Sequence, residues 1–399
     1  MDASARRRHP VPMPLKTNIG EDEGDFEAAR LTVRLDAIAA NYRTYRRLTG
    51  PCAVAAVVKA DAYGMGAQDV VPALSQAGCD SFFVARLEEG MALRKLAPGA
   101  RIFVLDGAHP DAVPALITHR LTPALNSLAE IAAWRAAADA AHTSLDAVVH
   151  VDTGMNRLGL PPEELAVLAA ESGKRLAGLN LVLVMSHLAC GDEPDSRMNA
   201  EQLSRFKTAL AMLPPAPASL AASHGALLGV EYHFDLVRPG VALYGANPQM
   251  GAQNLMQTVA VLTGRVLQIR RIDTGDSVGY AATFRAKRPT MLATVALGYA
   301  DGIPRTLSNR GVAAIAGARA PIVGRVSMDL TILDVTDMPH PPRPGDAVEL
   351  LGDTVTLGEV AQSAGTNEYE ILTRLRRTPR VYQKASPIRD DGRSDRSQP

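Results

Sequence analysis

The chain has 399 residues, 47% of them hydrophobic, with 42 basic against 42 acidic side chains. That length calls for more than one core, and two domains with one large enough for an α/β barrel are expected. The balanced charge and 4% aromatic content exclude an electrostatic or base-stacking nucleic-acid binder. Cys52, Cys79 and Cys190 are odd in number and lack a CxxC pair, which argues against a disulfide framework or a thiolate metal site.

Arg6-Arg7-Arg8 is not followed by an apolar stretch, and no run approaches a membrane span. A cytoplasmic protein with a small-molecule partner, no nucleic acid, no membrane and no metal is expected. Residues 1–28 and 386–399 are polar and short of large apolar groups, so they read as tails.

From Leu31 to about Ala246, short apolar runs alternate with longer Ala/Leu/Glu/Arg-rich segments, the signature of βα units and a parallel sheet. Strands are predicted at Ala53–Val58, Ser81–Val84, Ile102–Leu105, Leu121–Leu125, Asp146–Val151, Leu181–Ser186, Ala218–Ala222 and Phe234–Arg238. Helical spacing marks Leu87–Leu96, Ser127–Ala140, Pro162–Ser172 and Met198–Met212. The fold class is therefore α/β: a (β/α)8 TIM-type barrel over 29–255. A mainly β C-terminal domain follows over 256–385, with strands predicted at Arg265–Ile272, Thr290–Ala296, Val312–Ile315, Ala320–Val323, Thr331–Val335 and Ala347–Leu351. A short helix at Leu357–Ala364 ends at Gly365.

Lys59 closes the apolar run Cys52–Val58. An amine there is costly to desolvate, which lowers its pKa and makes it a candidate nucleophile at neutral pH. By itself it would read as a lysine snorkelling to solvent. Barrel enzymes, however, gather reactive groups at strand C-terminal ends.

The segment Val57-Val58-Lys59-Ala60-Asp61-Ala62-Tyr63-Gly64-Met65-Gly66 closely resembles the pyridoxal-phosphate signature of alanine racemases. Further matches are Asp152-Thr-Gly-Met-Asn-Arg157-Leu-Gly159, Ser186-His187, Arg238-Pro-Gly240-Val241-Ala-Leu-Tyr244-Gly245, Ser277-Val-Gly-Tyr280, Gly298-Tyr299-Ala-Asp301-Gly302, Gly324-Arg325-Val-Ser-Met328-Asp329 and Tyr369-Glu370. The resemblance covers almost everything between the tails.

It implies pyridoxal 5'-phosphate bound as a Schiff base to Lys59, with Ser223, Gly240, Val241, Tyr63 and Tyr369 at the phosphate. Arg238 would face the pyridine nitrogen, where a guanidinium cannot accept the proton a carboxylate would share. Racemisation needs two acid/base groups: Lys59 and, from the partner subunit of a homodimer, Tyr280. A phenol is a weak base at neutral pH unless neighbours favour its anion, and His187 matches a histidine that links such a tyrosine to the arginine. Arg157 and the backbone N–H of Met328 would bind the substrate carboxylate, with Tyr299, Asp301 and Asp329 at a partner-contributed entrance. Many relatives carry a carbamylated lysine where this chain has His150; neutral imidazole supplies no charge to hold Arg157, which a bound anion or another carboxylate would have to replace.

The activity implied is interconversion of L- and D-alanine, supplying D-alanine for peptidoglycan. Three alternatives stay open: a racemase of broader specificity, a related barrel decarboxylase, and a non-catalytic pyridoxal-phosphate carrier. Arg238 and the absence of a cysteine in the second half weigh against the decarboxylase, and Tyr280 with Met328-Asp329 against the carrier.

Overall fold

The computed structural model describes residues 27–384 apart from 250, 376 and 377; the expected tails lie almost wholly outside these residues. The barrel is built from β2 (Ala53–Val54), β3 (Ala56–Val57), β4 (Ser81–Val84), β5 (Arg101–Val104), β6 (Thr122–Leu125), β7 (Leu145–His150), β8 (Leu179–Met185), β9 (Ala218–Ser219) and β10 (Leu236–Val237), which follow β1 (Ala29–Arg34). Strands β3 to β9 pair in chain order, all parallel. Closure comes from β10 pairing β2 in parallel and from the bridge between Ala222 and Arg238. The expected strand over Ala53–Val58 is split at Ala55 because its N–H goes to Val237 O, while the next residues turn to β4. One strand position thus serves both neighbours and completes the ring.

Parallel strands covered on both faces should be apolar throughout, and β4 is buried at every residue. Phe83 and Phe103 stack at 4.6 Å inside the barrel. Outside it, helix Leu35–Leu48 buries Leu35, Ile38, Ala39, Tyr42 and Tyr45, the spacing of one helical face. Helix Arg197–Met212 buries Gln202, Leu203, Phe206 and Ala209, and Phe206 meets Phe234 edge-on at 5.0 Å.

The second half contains β11 (Ala260–Ile272), β12 (Ser277–Val278), β13 (Phe284–Arg285), β14 (Thr290–Val295), β15 (Val312–Ile315), β16 (Ala318–Pro321), β17 (Thr331–Asp334), β18 (Ala347–Leu351) and β19 (Arg380–Gln383). The main sheet runs β16-β15-β18-β11-β1-β19, with β14 pairing β11 and β17. Strand β1 therefore belongs to this sheet, although it opens the segment read as barrel: Leu31 opposes Leu262 on one side and Arg380 on the other. The barrel's eight positions are already filled, and alternating Leu31 and Val33, both buried, need a sheet face to cover them. Strand β16 starts at Ala318 rather than Ala320. Ala316 and Gly317 both have positive φ, as a tight two-residue hairpin with β15 requires.

Helix Leu357–Ala364 has the predicted bounds, capped by Thr356 at one end and left-handed Gly365 at the other. No helix among the described residues is long and apolar enough to cross a membrane.

Phe206 is fully buried against the barrel wall. Phe206→Ala should cost about 3–5 kcal/mol of unfolding free energy in chemical denaturation; a loss under roughly 1 kcal/mol would mean that this helix docks without Phe206.

Candidate active site

Lys59 stands just past β3 and is followed by Ala60, Asp61, Ala62 and Tyr63, each at φ between 54° and 57°. Consecutive left-handed residues other than glycine are rare because each Cβ crowds the following carbonyl, at about 1–2 kcal/mol apiece. The surroundings hold this turn in place. Ala60 N–H donates to Glu89 Oε1 at 2.6 Å, and Asp61 accepts from Ala67 N–H at 2.8 Å while its other oxygen meets Arg380 Nη1 at 3.1 Å. Arg380 lies on β19, so the C-terminal sheet grips the residues next to Lys59. Gly64, at φ 85°, has no room for a side chain: a Cβ would stand 2.7 Å from Leu372 O.

Lys59 opens on a cavity of about 490 Å³ at the C-terminal ends of the barrel strands. Burial lowers its pKa, Arg157 lowers it further, and Glu89 and Asp106 oppose them. Arg238, just past β10 on the strand position next to that of Lys59, is almost fully buried; it donates to Ser219 Oγ, to Ser186 O at 2.7 Å and to Leu220 O at 3.4 Å. These acceptors are neutral oxygens. Burial alone brings Arg238 down to about 10, so it stays cationic at neutral pH. Lys59, Arg157 and Arg238 thus share a lining whose only carboxylate among the described residues is Asp192.

Ser223, His187, Gly240, Val241, Tyr63 and Tyr369 line the same space. Ser223 Oγ accepts N–H bonds from Gly240 at 2.9 Å and Ala242 at 3.4 Å, which leaves its own proton to donate elsewhere. Tyr63 stacks on Tyr244 at 4.8 Å and has Tyr369 6.0 Å away. A Cβ on Gly240 would fall 2.4 Å from Tyr63 Oη, so glycine lets the phenol reach this rim. Hydroxyls of serine and tyrosine, backbone amides and excess positive charge suit a phosphate, and the amine opposite suits the aldehyde of the same molecule. Pyridoxal phosphate therefore fits the residues present.

His187 is pushed well below its ordinary value by burial, then by Arg238, Arg157 and Lys59. Its expected link to Arg238 is not a hydrogen bond: the arginine's donors go to Ser219, Ser186 and Leu220. The guanidinium reaches those oxygens because they lie on the neighbouring barrel strands.

His150, the last residue of β7, is lowered to about 4 by burial, then by Arg238, while Asp152 opposes. Its Nδ1 lies 2.8 Å from Asn126 Oδ1. Asp152 gathers the N–H groups of Gly154, Met155 and Asn156, so the chain turns sharply and presents Arg157 before Leu160 returns its N–H to His150 O at 2.8 Å.

Five expected residues stand elsewhere. Tyr280 sits in the tight connection between β12 and β13, 72% exposed, in a separate surface hollow with Arg325, Ser327 and Leu330. Tyr299, Asp301, Met328 and Asp329 occupy two joined segments, since Tyr299 N–H donates to Ser327 O and Ala300 N–H to Met328 O. None lines the cavity of Lys59. Sequence reasoning missed Asn126, Glu89 and the Asp61–Arg380 pair. The capping pattern Ser127-x-x-Glu130 would have drawn attention to the strand end before it, because Glu130 accepts the N–H of Asn126 at 2.8 Å. Nothing in the sequence signalled the ion pair, whose members are 319 residues apart.

Fold and cavity together define a barrel enzyme class with a desolvated amine facing an anion-binding rim. Residues 33–248 match the family model "Alanine racemase, N-terminal domain" and residues 259–382 "Alanine racemase, C-terminal domain". Over 362 residues the chain is 50% identical to an alanine racemase of Rhodospirillum rubrum, covering 90% of this chain and 96% of that one. A catabolic alanine racemase of Agrobacterium fabrum is 47% identical, with 89% and 92% covered. The crystal structure of alanine racemase from Bartonella henselae with covalently bound pyridoxal phosphate is similar at TM-score 0.86 and 41% identity, over 90% of this chain and all of that one. The chain belongs to the alanine racemase family.

Two measurements check this geometry. Ala60 is exposed and left-handed, so Ala60→Gly should leave the unfolding free energy unchanged or raise it by up to about 1 kcal/mol, whereas Ala60→Val should lower it by about 2 kcal/mol or more. Equal effects would show the turn to be unstrained. Because folded His150 rejects a proton that the unfolded chain takes up, its contribution is complete above about pH 6.5 and is lost as pH falls toward about 4. Its share is roughly 3 kcal/mol at most. His150→Gln should therefore lose less stability than the wild type between neutral pH and about pH 4.5; identical losses would place the titration elsewhere.

Proposed function

We propose that this protein is a cytoplasmic, homodimeric alanine racemase that uses pyridoxal 5'-phosphate to interconvert L- and D-alanine and supplies D-alanine for peptidoglycan. The observation that carries the reading is a desolvated Lys59 sharing one cation-rich cavity with Arg238, whose acceptors are all neutral. When bound, the cofactor supplies the electron sink that makes the substrate Cα–H acidic.

Lys59 would hold the cofactor's aldehyde carbon, with Ser223, Gly240, Val241, Tyr63 and Tyr369 around its phosphate. Arg238 would point at the pyridine nitrogen; being cationic and donor-only, it keeps that nitrogen unprotonated and the sink moderate, which favours returning the proton over transamination. His187, kept neutral by its surroundings, adds no further charge there. Arg157 would take the substrate carboxylate through its paired N–H donors, joined by the N–H of Met328. Lys59 Nζ then moves the proton on the D face.

The L face needs a second group; the two phenols on the described cavity of a single chain, Tyr63 and Tyr369, are those assigned to the phosphate, and Tyr280 does not line it. Tyr280 on a second copy would fill that role, delivered by an exposed hairpin with Met328, Tyr299, Asp301 and Asp329 beside it. Dividing the two proton carriers between copies accounts for a tyrosine left 72% exposed.

Mixing inactive Lys59→Ala and Tyr280→Phe variants tests this division. Random reassembly should recover roughly a quarter of wild-type alanine racemase activity, since each mixed dimer has one intact site. No recovery would mean that both groups act within one chain. In deuterated water, Tyr280→Phe should lose Cα exchange from L-alanine before exchange from D-alanine; equal loss would contradict the assignment of faces. A requirement for external D-alanine on deletion of the gene would support the wall-precursor role, and normal growth without it would oppose that role.

A further inference from the structure

His150 and Asn126 bear on how Arg157 is oriented, an inference that rests on Arg157 being the group that binds substrate carboxylate. Asn126 is buried at the end of β6, and its Nδ2 lies 2.8 Å from Ala124 O and 3.2 Å from Leu105 O. Both neighbours are carbonyls, which only accept. The amide nitrogen must therefore face them, and the other arm of the side chain must be Oδ1, an acceptor with no proton to give. Oδ1 lies 2.8 Å from His150 Nδ1, so that ring nitrogen has to carry the proton.

In a neutral ring the second nitrogen, Nε2, then keeps its lone pair. The ring edge carrying it is turned toward the Arg157 loop: a Cβ on Gly159 would stand 3.3 Å from His150 Cδ2, the atom bonded to Nε2. Gly159, at φ 104°, is where that loop folds back onto β7. His150 also lines the cavity that Arg157 shares.

The charged and titratable groups around the ring are Arg238 just past β10, Arg157 and Asp152 from the loop, and His187, itself held neutral, beyond β8. Two cations against one carboxylate, together with burial, oppose a second proton. We propose that Asn126 locks His150 in the Nδ1–H tautomer, so that Nε2 is a neutral acceptor that orients the Arg157 guanidinium for a substrate carboxylate. His150 and Asn126 are positioning residues in this account. A carboxylate at this position would compete with the substrate for the same guanidinium; an imidazole lone pair can hold one N–H and leave Arg157's charge uncancelled.

Glutamine places a polar atom near the Nε2 position and asparagine near Nδ1, which separates the two ends of the ring. In cofactor-loaded enzyme, His150→Gln should keep the alanine KM within about threefold, while His150→Asn and His150→Leu should raise it about tenfold or more with kcat changed less than about threefold. A wild-type KM in His150→Asn would overturn the proposal. Independently of any variant's folding, ¹⁵N spectra of the wild-type holoenzyme with labelled histidine rings should show an unprotonated Nε2 for His150 from neutral pH down to about pH 5.5. A protonated Nε2 would overturn it. Loss of alanine racemisation by the wild type itself would instead refute the reading of function, which the ring spectrum does not depend on.

Discussion

Lys59, Arg157 and Arg238 line one cavity on which Asp192 is the single carboxylate among the described residues, and this surplus of positive charge, with Arg157 repelling Lys59, governs the rest of the site. Charges brought together out of water need either counterions or ligands. Here the protein withholds counterions: Arg238 is satisfied by neutral oxygens, and the histidines at 150, 187 and 224 are all driven toward the neutral form by burial. The unbalanced charge remains for what enters, and a phosphate with a carboxylate is the complement. The same repulsion depresses the Lys59 pKa, because Arg157 adds to the desolvation. Anion binding and amine reactivity thus share one electrostatic cause.

Holding an amine in that field requires a stiff support, and part of the stiffness comes from outside the barrel. The left-handed turn Ala60–Tyr63 is unfavourable for a free chain, yet Glu89 on helix Leu87–Leu96 fixes its first N–H and Arg380 on β19 fixes Asp61. Helix Glu368–Arg374 closes over Gly64 and brings Tyr369 to Tyr63. The C-terminal sheet is therefore a structural part of the Lys59 site even within one chain. Strand β1 serves the same coupling, since it pairs β11 and β19 and leads directly into the first helix of the barrel.

Much of this was legible in the sequence where a local pattern has one outcome. The all-apolar strands of the barrel, the capped helix Leu357–Ala364 and the turn glycines gave their positions directly, and the residues around Lys59 carried the family resemblance. What stayed hidden depends on partners distant in the chain. Strand β1 is not among the strands read from the sequence; it falls in the segment assigned to the barrel, and its alternation says that one face is buried, not against which sheet. Asn126 looks like an ordinary residue at a strand end; only the two carbonyls flanking it give its amide a direction. Arg238 acts on His187 through space, while the guanidinium's hydrogen bonds go to Ser219, Leu220 and Ser186 at strand ends to one side of it.

The surface around Tyr280 follows the same logic of incompleteness. Tyr280 and Met328 are 72% and 55% exposed, and Leu330 lies in the same hollow as Tyr280. Gly279, Ala281 and Ala282 all take positive φ, so the hairpin connection spends backbone energy to turn the phenol outward, away from its own sheet. Gly298 has no space for a Cβ, which would fall 2.2 Å from Met328 O, and the two segments are hydrogen-bonded to each other. In the proposed dimer this exposed, partly strained projection of one copy would meet the cation-lined cavity of the other, which Tyr280 does not line within its own chain. A second copy of the same chain would cover both surfaces at once, in the reciprocal manner that the two-fold symmetry of the proposed dimer would impose.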